Sequence, residues 1–209
     1  MRVDNMEGYC VGEPWNGLAA AQNIGFTHIS SQDIWKNHPE KALVVNSAFA
    51  AGSREDLKNM MKAIIEACRW LDAMGNRSKT ASWLSKPNYV NAPVQVLEAR
   101  LKGSYDLGCE LGVQKYKDDY MTFYNNGIVN MPKKSYAIWF LAQYVRFGYL
   151  KSDPDYKGIA EKLILDDVFA EVAKEMNVPV QQDMQAFKTT YDVSFDPNNV
   201  GAYLKTTKR

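Results

Sequence analysis

Two short segments of the sequence could each contribute to a site for a small anion. In the first, Val11–Trp15, a predicted strand over Gly8–Gly12 gives way to an Ala-rich helix. Gly12 has no side chain, so a ligand could approach the backbone closely there. The N-terminus of the following helix would favour negative charge. Turns of this kind are common in α/β proteins, so the segment alone does not establish a site.

The second segment, His38–Lys41, leads into an apolar run, Ala42–Val45, which predicts a buried strand. A lysine at the edge of an apolar run is usually a solvated charge that keeps the strand soluble. It can also be the single cation that neutralises a small anion in a cleft. The residues by themselves leave both roles of Lys41 open.

The sequence lacks the motifs of common catalytic and metal sites. It contains no GxxxxGK[ST] loop, no GxGxxG loop and no HExxH motif, and no GxSxG turn. With two histidines a histidine-rich metal site is excluded, and we expect His28 to be packed within a strand and His38 to lie in a loop. Cys10, Cys68 and Cys109 form no CxxC pair, and Cys68 lies on the apolar face of a predicted helix. We therefore predict no catalytic residues, no cofactor and no metal site, and a protein that is not an enzyme.

The composition is that of a globular protein with a nearly neutral charge. The 209 residues suffice for one ordinary domain or two small lobes. The net charge of +1 argues against nucleic acid as a partner, because phosphate binding usually requires a basic excess. No apolar run approaches the roughly 18 residues that span a bilayer. The polar start, Met1–Glu7, lacks the apolar stretch of a signal peptide, so the chain as written is not expected to be exported.

The element pattern predicts an α/β protein with a mostly helical C-terminal portion. The predicted strands are Gly8–Gly12, Phe26–Ile29 and Ala42–Val45. The predicted helices cover residues 16–24, 57–71, 77–85, 93–102, 135–150, 157–164 and 167–176. The predicted N-caps are Ser53, Ser135 and Asp167. A long loop is expected at 103–134 and an extended tail at 192–209. Such short strands need partners to complete a sheet, which suggests part of a larger α/β protein.

Longer stretches of the sequence resemble a known family. Gly8–Asn16 and Gln32–Asn46 are similar, in register, to the nitrate- and bicarbonate-binding proteins of cyanobacterial-type ABC transporters. Asn130–Leu141, Gly148–Leu150 and Val193–Pro197 resemble the same family. The resemblance runs over essentially the whole chain, and its motifs are long enough to be specific.

The resemblance implies an incomplete periplasmic-binding-protein-like fold of type II. Proteins of this family have two lobes that close on a small oxyanion, are anchored at the membrane surface as lipoproteins and deliver their ligand to a permease. Residues 1–209 would be the C-terminal portion of such a protein. Residues 1–50 would end the second lobe and return through the hinge, and 51–209 would form a mostly helical part that packs on the first lobe. The first lobe, the membrane anchor and the family's Trp, Gln and His of the pocket would lie outside this chain.

The family pattern also implies which anion is bound. Nitrate binders carry a lysine after the His-Pro-Glu segment, where bicarbonate binders carry an acidic residue that works with calcium. Lys41 occupies that position, although a shift of one residue would place Glu40 there. A cation suits nitrate, whereas a carboxylate would repel it. We predict a nitrate site, with nitrite as a second ligand, in which Lys41 is the charge partner, Gly12 allows close approach and Glu13 orients the site, without calcium.

Other functions stay open on the sequence. The chain could be a nitrate-sensing regulatory domain fused to the transporter ATPase, or a bicarbonate-binding homologue. A binder of sulfonates or pyrimidines from the wider superfamily fits the long motifs less well. No constellation of residues supports an enzyme.

Overall fold

The computed structural model describes residues 6–117 and 120–207, and helix predominates over strand among them. The helices are α1 (Trp15–Ala21), α2 (Ser31–Ile34), α3 (Ser47–Gly52), α4 (Arg54–Asp72), α5 (Met74–Leu84), α6 (Val94–Leu101), α7 (Lys134–Arg146), α8 (Tyr156–Leu163), α9 (Asp166–Glu175) and α10 (Val200–Thr207). The strands are β1 (Ser104–Asp106), β2 (Val113–Lys115), β3 (Phe187–Lys188) and β4 (Ser194–Phe195). Single 3₁₀ turns cover Asn125–Gly127 and Thr190–Asp192.

The chain divides into two compact units. The first unit comprises Met1–Ser30 and Trp70–Thr122, and the second comprises Ser31–Arg69 and Phe123–Arg209. The prediction that 1–50 and 51–209 belong to different lobes refers to a longer protein and does not correspond to these two units. It stays a prediction.

In the first unit, α6 is the central helix. Both α1 and α5 pack against it, and α1 also contacts β1. Strand β1 pairs antiparallel with β2, with Ser104 opposite Lys115 and Asp106 opposite Val113. This packing brings the start of α1, which carries the predicted Gly12 turn, against the C-terminal part of α6.

A buried arginine on α5 joins several parts of the first unit. The Arg77 side chain has no exposed surface. Its guanidinium donates to the carbonyl oxygens of Leu71 at 3.0 Å, Leu101 at 2.5 Å and Met121 at 2.6 Å. It also lies 3.3 Å from the carboxylate of Asp72. Arg77 thereby satisfies acceptors at the ends of α4 and α6 and in the loop before residue 122.

The second unit has two apolar clusters. One is built on α7, which packs against α8 and α10, and it is centred on the fully buried Ile138 and Phe195. The other joins α4 to α9 through Ile65, Phe169 and Val172. Amphipathic spacing of these side chains along each helix explains why the helices form and which faces they bury.

The predicted helices all form, although their boundaries differ. Helix α4 matches the predicted span closely, whereas α7 ends at Arg146 instead of 150. Helix α10 contradicts the extended tail: Val200, Tyr203 and Leu204 bury one face of it against the α7 cluster. The expected loop at 103–134 contains the β1–β2 hairpin.

The three predicted strands are wrong. None of Gly8–Gly12, Phe26–Ile29 and Ala42–Val45 is assigned as strand. Val44 is 83% exposed, so its run is extended without being buried. A strand needs a ladder of hydrogen bonds to a neighbour. Among the described residues these segments join no such ladder, although the Thr27 N–H donates to the Leu107 carbonyl oxygen at 2.7 Å. His28, expected to be packed in the second of them, is exposed.

Two of the three predicted helix caps are wrong. Ser135 lies inside α7, where its backbone N–H and that of Lys134 donate to the carboxylate of Asp183, at 3.4 and 2.7 Å. Asp167 lies inside α9, whose N-cap residue is Leu165. Ser53 lies where it is predicted, between the end of α3 and the start of α4, and its carbonyl oxygen accepts from the Leu57 N–H at 3.0 Å. A carboxylate at a helix N-terminus satisfies free N–H groups and favours the helix dipole.

Ion pairs connect α4 to α9 on the surface of the second unit. The Lys58 ammonium lies 2.8 Å from Glu175 and 3.3 Å from Glu171, and its side chain is only 9% exposed. Hydrogen bonds from Lys58 and then Lys62 lower the pKa of the Glu175 carboxyl to about 2. The folded chain therefore favours the ionised form of the Glu175 carboxyl over the protonated form.

We expect Glu175 to stabilise the fold in a pH-dependent manner. Its folded pKa lies below its unfolded value, so the stabilisation is complete above about pH 4.5 and is lost as the pH falls towards about 2. Glu175→Gln should lower the melting temperature at neutral pH, and the difference from wild type should shrink below pH ~4.5. Thermal melts across this range test it. Glu66→Gln, an exposed position on α4, is the control, and a Glu175 effect that does not change with pH would contradict the assignment.

Candidate functional site

The Gly12 turn is open on its outer side. Gly12 is exposed, and a Cβ at this position would meet no heavy atom within 4 Å. The backbone N–H of Trp15 donates to the Gly12 carbonyl oxygen at 3.3 Å, and the Asn16 side-chain amide donates to the Val11 carbonyl oxygen at 3.3 Å. These bonds fix the backbone of the turn while leaving its outer side accessible to a ligand.

The helix that follows the turn is short. Helix α1 has seven residues, and its N-cap residue, Pro14, makes no side-chain hydrogen bond to the first turn. Because a helix dipole grows with the number of aligned peptides, the predicted attraction of an anion to this N-terminus is weak. The backbone of the turn is the feature that could serve a ligand.

Glu13 points into the first unit. Its side chain is 19% exposed, and its Oε1 lies 3.5 Å from Nη1 of Arg100. Burial raises the pKa of Glu13, while the charge of Arg100 and hydrogen bonds from Gly17 and Asn16 act in the opposite direction. Desolvation is the largest of these effects, so this carboxylate depends on its partner to stay ionised.

Arg100, near the end of α6, is the buried partner of Glu13. Its side chain is 4% exposed. Nη2 donates to the Asp106 carbonyl oxygen at 3.0 Å, and the guanidinium lies 4.4 Å from the centre of the Tyr105 ring. A Cβ at Gly17 would stand 2.5 Å from Arg100 Nε, so the glycine makes room for the guanidinium.

The polar atoms of this pair are incompletely satisfied. Within the described residues, Oε2 of Glu13 and Nη1 of Arg100 are buried and have no hydrogen-bond partner. Buried polar atoms usually find partners, because leaving one unpaired costs about 1–3 kcal/mol. Attraction between the two opposite charges, both of them largely buried, therefore holds the pair together.

The segment that carries Lys41 is anchored in the second unit by an aromatic side chain. Trp35 is 9% exposed. Its ring lies 4.7 Å from that of Trp139 and stacks on Phe187 at 6.1 Å, measured between ring centroids. Aromatic contacts of this kind add about 0.5–1.5 kcal/mol beyond the area buried. They fix the chain six residues before Lys41.

His38 closes the same segment into a loop, as predicted for its position. Its Nδ1 lies 3.0 Å from the Pro39 carbonyl oxygen, which can only accept, so Nδ1 carries a proton. Its Nε2 lies 2.8 Å from the hydroxyl of Ser31. The imidazole thus ties the start of α2 to the residues just before Lys41.

The Lys41 side chain extends into solvent. It is 83% exposed, and its ammonium lies 2.9 Å from the Glu40 carboxylate. An exposed pair between neighbouring residues stabilises the fold little, so the ammonium is available to a stronger partner. The structure places Lys41 in the second unit and Gly12 and Glu13 in the first. The roles of these three residues towards a ligand stay predictions.

Sequence analysis did not identify Arg100, which lies 87 residues after Glu13 in the chain. Two signals could have drawn attention to it. Gly17 interrupts an Ala-rich helix at a cost of about 1 kcal/mol, which suggests a close neighbour. Arg100 shares the buried face of α6 with Leu97 and Leu101, where a charge needs a partner.

In the ranges 6–117 and 120–207, no three or more His, Cys, Asp or Glu side chains are grouped so that they could hold a metal ion. None of the helices described there is both long and apolar enough to cross a membrane.

Comparison with known proteins places the fold. Residues 1–85 match the model of the NMT1-like family. The whole chain is 32% identical to the nitrate/nitrite binding protein NrtA of Synechocystis sp. (strain ATCC 27184 / PCC 6803 / Kazusa), and covers 48% of it. It is 29% identical over 98% of its length to the nitrate import ATP-binding protein NrtC of the same organism, and covers 30% of that protein. The crystal structure of the periplasmic nitrate-binding protein NrtA from Synechocystis PCC 6803 superimposes with a TM-score of 0.90 at 28% identity, over 99% of this chain and 55% of that one.

The fold is therefore part of the periplasmic-binding-protein fold, an α/β class of which this chain contains the largely helical elements. Within that class, the chain resembles the nitrate-binding type, and the predicted resemblance is confirmed. The chain spans about half the length of the curated nitrate-binding relative that it matches.

Proposed function

We propose that the chain is part of the substrate-binding component of an ABC importer that captures nitrate, with nitrite as a second ligand. The observation that carries this proposal is the superposition of nearly the whole chain on a nitrate-binding protein at a TM-score of 0.90. At 28% identity the likeness extends beyond fold to a related sequence.

The residues of the Gly12 turn and the Lys41 segment support the same ligand. Nitrate is a planar monovalent anion that accepts hydrogen bonds and donates none. Lys41 supplies an exposed ammonium whose present partner, Glu40, is weak. The Gly12 turn supplies accessible backbone with the neighbouring carboxylate of Glu13 directed inward. We infer that both segments contribute to nitrate binding in the full-length protein.

The partners and location follow from the same proposal. A nitrate-binding component delivers its ligand to the permease of the importer. We place the full-length protein in the periplasm, attached to the cell membrane. Nucleic acid is not expected as a partner, because the net charge is only +1.

A second function is supported by a specific observation. The chain matches part of a nitrate import ATP-binding protein at 29% identity, so it could instead be a nitrate-sensing domain fused to such a subunit. Both functions require nitrate binding and differ in what else the gene encodes. A P-loop upstream in the same reading frame would favour the ATPase fusion, and a lipoprotein signal would favour the importer component.

Calorimetry on the protein purified at the full length of its gene tests the nitrate proposal. We expect nitrate to bind, with an affinity that is unchanged by calcium and reduced by competing nitrite. Bicarbonate, tested with and without calcium, is the control for the homologous specificity. Calcium-dependent binding of bicarbonate without binding of nitrate would overturn the proposal in favour of the bicarbonate-binding homologue.

A further inference from the structure

We propose that Arg100 is a positioning residue for the Gly12 turn, whose buried guanidinium neutralises Glu13 so that the turn offers an oxyanion its backbone without a competing negative charge. The inference rests on the proposed function, since it assigns Arg100 to the same nitrate site. Arg100 itself does not contact the ligand. It acts on the ligand site through Glu13.

The geometry fixes Arg100 from three sides. Nη2 donates to the Asp106 carbonyl oxygen at 3.0 Å, which ties the guanidinium to β1. The Tyr105 ring covers one face of it at 4.4 Å. On α1, Gly17 leaves the space that the guanidinium fills, because a Cβ there would lie 2.5 Å from Nε. The guanidinium therefore has little freedom to follow Glu13 if the turn moves.

Arg100 holds the turn through Glu13. The carboxylate lies 3.5 Å from Nη1, and both side chains are largely buried, at 19% and 4% exposure. Charges attract far more strongly in such a place than at the surface, where solvent screens them. Glu13 directly follows Gly12, so its ion pair with Arg100 adds a restraint to the turn, whose backbone the hydrogen bonds of Trp15 and Asn16 also hold.

The charges that face Glu13 explain why a cation is needed there. From α6 comes Arg100, and from β1 comes Tyr105, whose phenol is neutral because burial raises its pKa to about 12. From α1, Asn16 and Gly17 supply only hydrogen bonds. An unpaired carboxylate one residue from Gly12 would repel an incoming oxyanion. Arg100 removes that repulsion.

Arg100→Gln tests the inference in the full-length protein, with nitrate calorimetry at a series of pH values from mildly alkaline down to the lowest at which the protein stays folded. The Arg100 charge lowers the pKa of Glu13, so without the guanidinium this pKa should rise further above its usual value. Nitrate affinity should therefore fall by at least about tenfold at the alkaline end and recover towards the acid end, where Glu13 is protonated. Adding Glu13→Gln should remove this pH dependence. A loss in Arg100→Gln that is the same at every pH, or no loss, would overturn the inference.

Two further measurements separate positioning from folding and from the proposed function. Arg100→Lys keeps the charge but not the planar donor set, so it should retain the wild-type pH profile even if it melts at a lower temperature. A Lys variant with the Gln profile would refute the role of charge. Carbon-13 NMR of the Glu13 carboxyl follows its protonation without any ligand. If the midpoint of that protonation shifts in Arg100→Gln while the wild type binds no nitrate, the proposed function fails, and Arg100 is reduced to a structural partner of Glu13.

Discussion

Reversal of charge at Lys41 is expected to abolish nitrate binding by the full-length protein. Lys41→Glu replaces the cation with a carboxylate that repels a monovalent anion. Loss of a charge partner in a ligand site typically costs about 2–5 kcal/mol, so affinity should fall by about thirtyfold or more. Calorimetry with nitrate measures this directly, and the exposure of the side chain, 83%, means that the fold itself should be unaffected.

Two further variants define the Lys41 result. Lys157→Glu makes the same charge reversal at an exposed position on α8, and nitrate affinity should then be unchanged. Glu40→Gln removes the carboxylate that lies 2.9 Å from the Lys41 ammonium, so affinity should rise or stay constant. Unchanged affinity in Lys41→Glu would refute its role, and equal losses in Lys41→Glu and Lys157→Glu would indicate a general effect of net charge.

Replacement of Arg77 should produce the largest loss of stability in the first unit. Arg77→Met leaves the carbonyl oxygens that the guanidinium satisfies without a donor, and it leaves Asp72 without this cation. Each unpaired buried acceptor costs about 1–3 kcal/mol, so we expect a total of about 3–5 kcal/mol. Urea unfolding followed by tryptophan fluorescence measures this loss; the signal includes Trp70 and Trp83, which stack within the first unit at 5.3 Å, together with Trp35 and Trp139 of the second unit.

A matched variant on the same helix controls for the loss of a positive charge. Lys79 is exposed on α5, where its ammonium lies 5.0 Å from the centre of the Trp83 ring, so Lys79→Met should change the free energy of unfolding by no more than about 1 kcal/mol. If Arg77→Met and Lys79→Met destabilise the chain equally, the hydrogen bonds of Arg77 do not contribute to stability as described.

The helices could be predicted from the sequence because their evidence is local. In α4, apolar side chains recur at helical spacing, and burial of that face follows from the pattern. The error at α10 shows the limit of such evidence. Asp196–Asn199 lies within the predicted extended tail, whereas residues of this kind also start helices, and α10 begins at Val200.

The strands could not be predicted from local evidence. Ala42–Val45 has the composition of a buried strand, yet burial and pairing depend on neighbours that these described residues do not supply. The capping of α7 failed to be predicted for a related reason. Its cap is Asp183, which follows the helix N-terminus by almost fifty residues, whereas the sequence offered Ser135 nearby.

The residues assigned to the candidate site come from two kinds of evidence, and their roles towards a ligand stay predictions. Gly12, Glu13 and Lys41 were identified by motif, and motifs are contiguous in the chain. Arg100 was not identified, because the contact between α1 and α6 that brings it to Glu13 is tertiary. Its signals, a helical glycine and a charge on an apolar face, indicate a close neighbour without saying which one.

A crystal structure of the full-length protein, grown with nitrate, would show directly whether Lys41 binds the anion. We expect the ammonium of Lys41 to leave Glu40 and to lie within hydrogen-bond distance of a nitrate oxygen. A well-ordered nitrate bound elsewhere, with Lys41 still paired to Glu40 in solvent, would contradict the assignment of this lysine as the anion's charge partner.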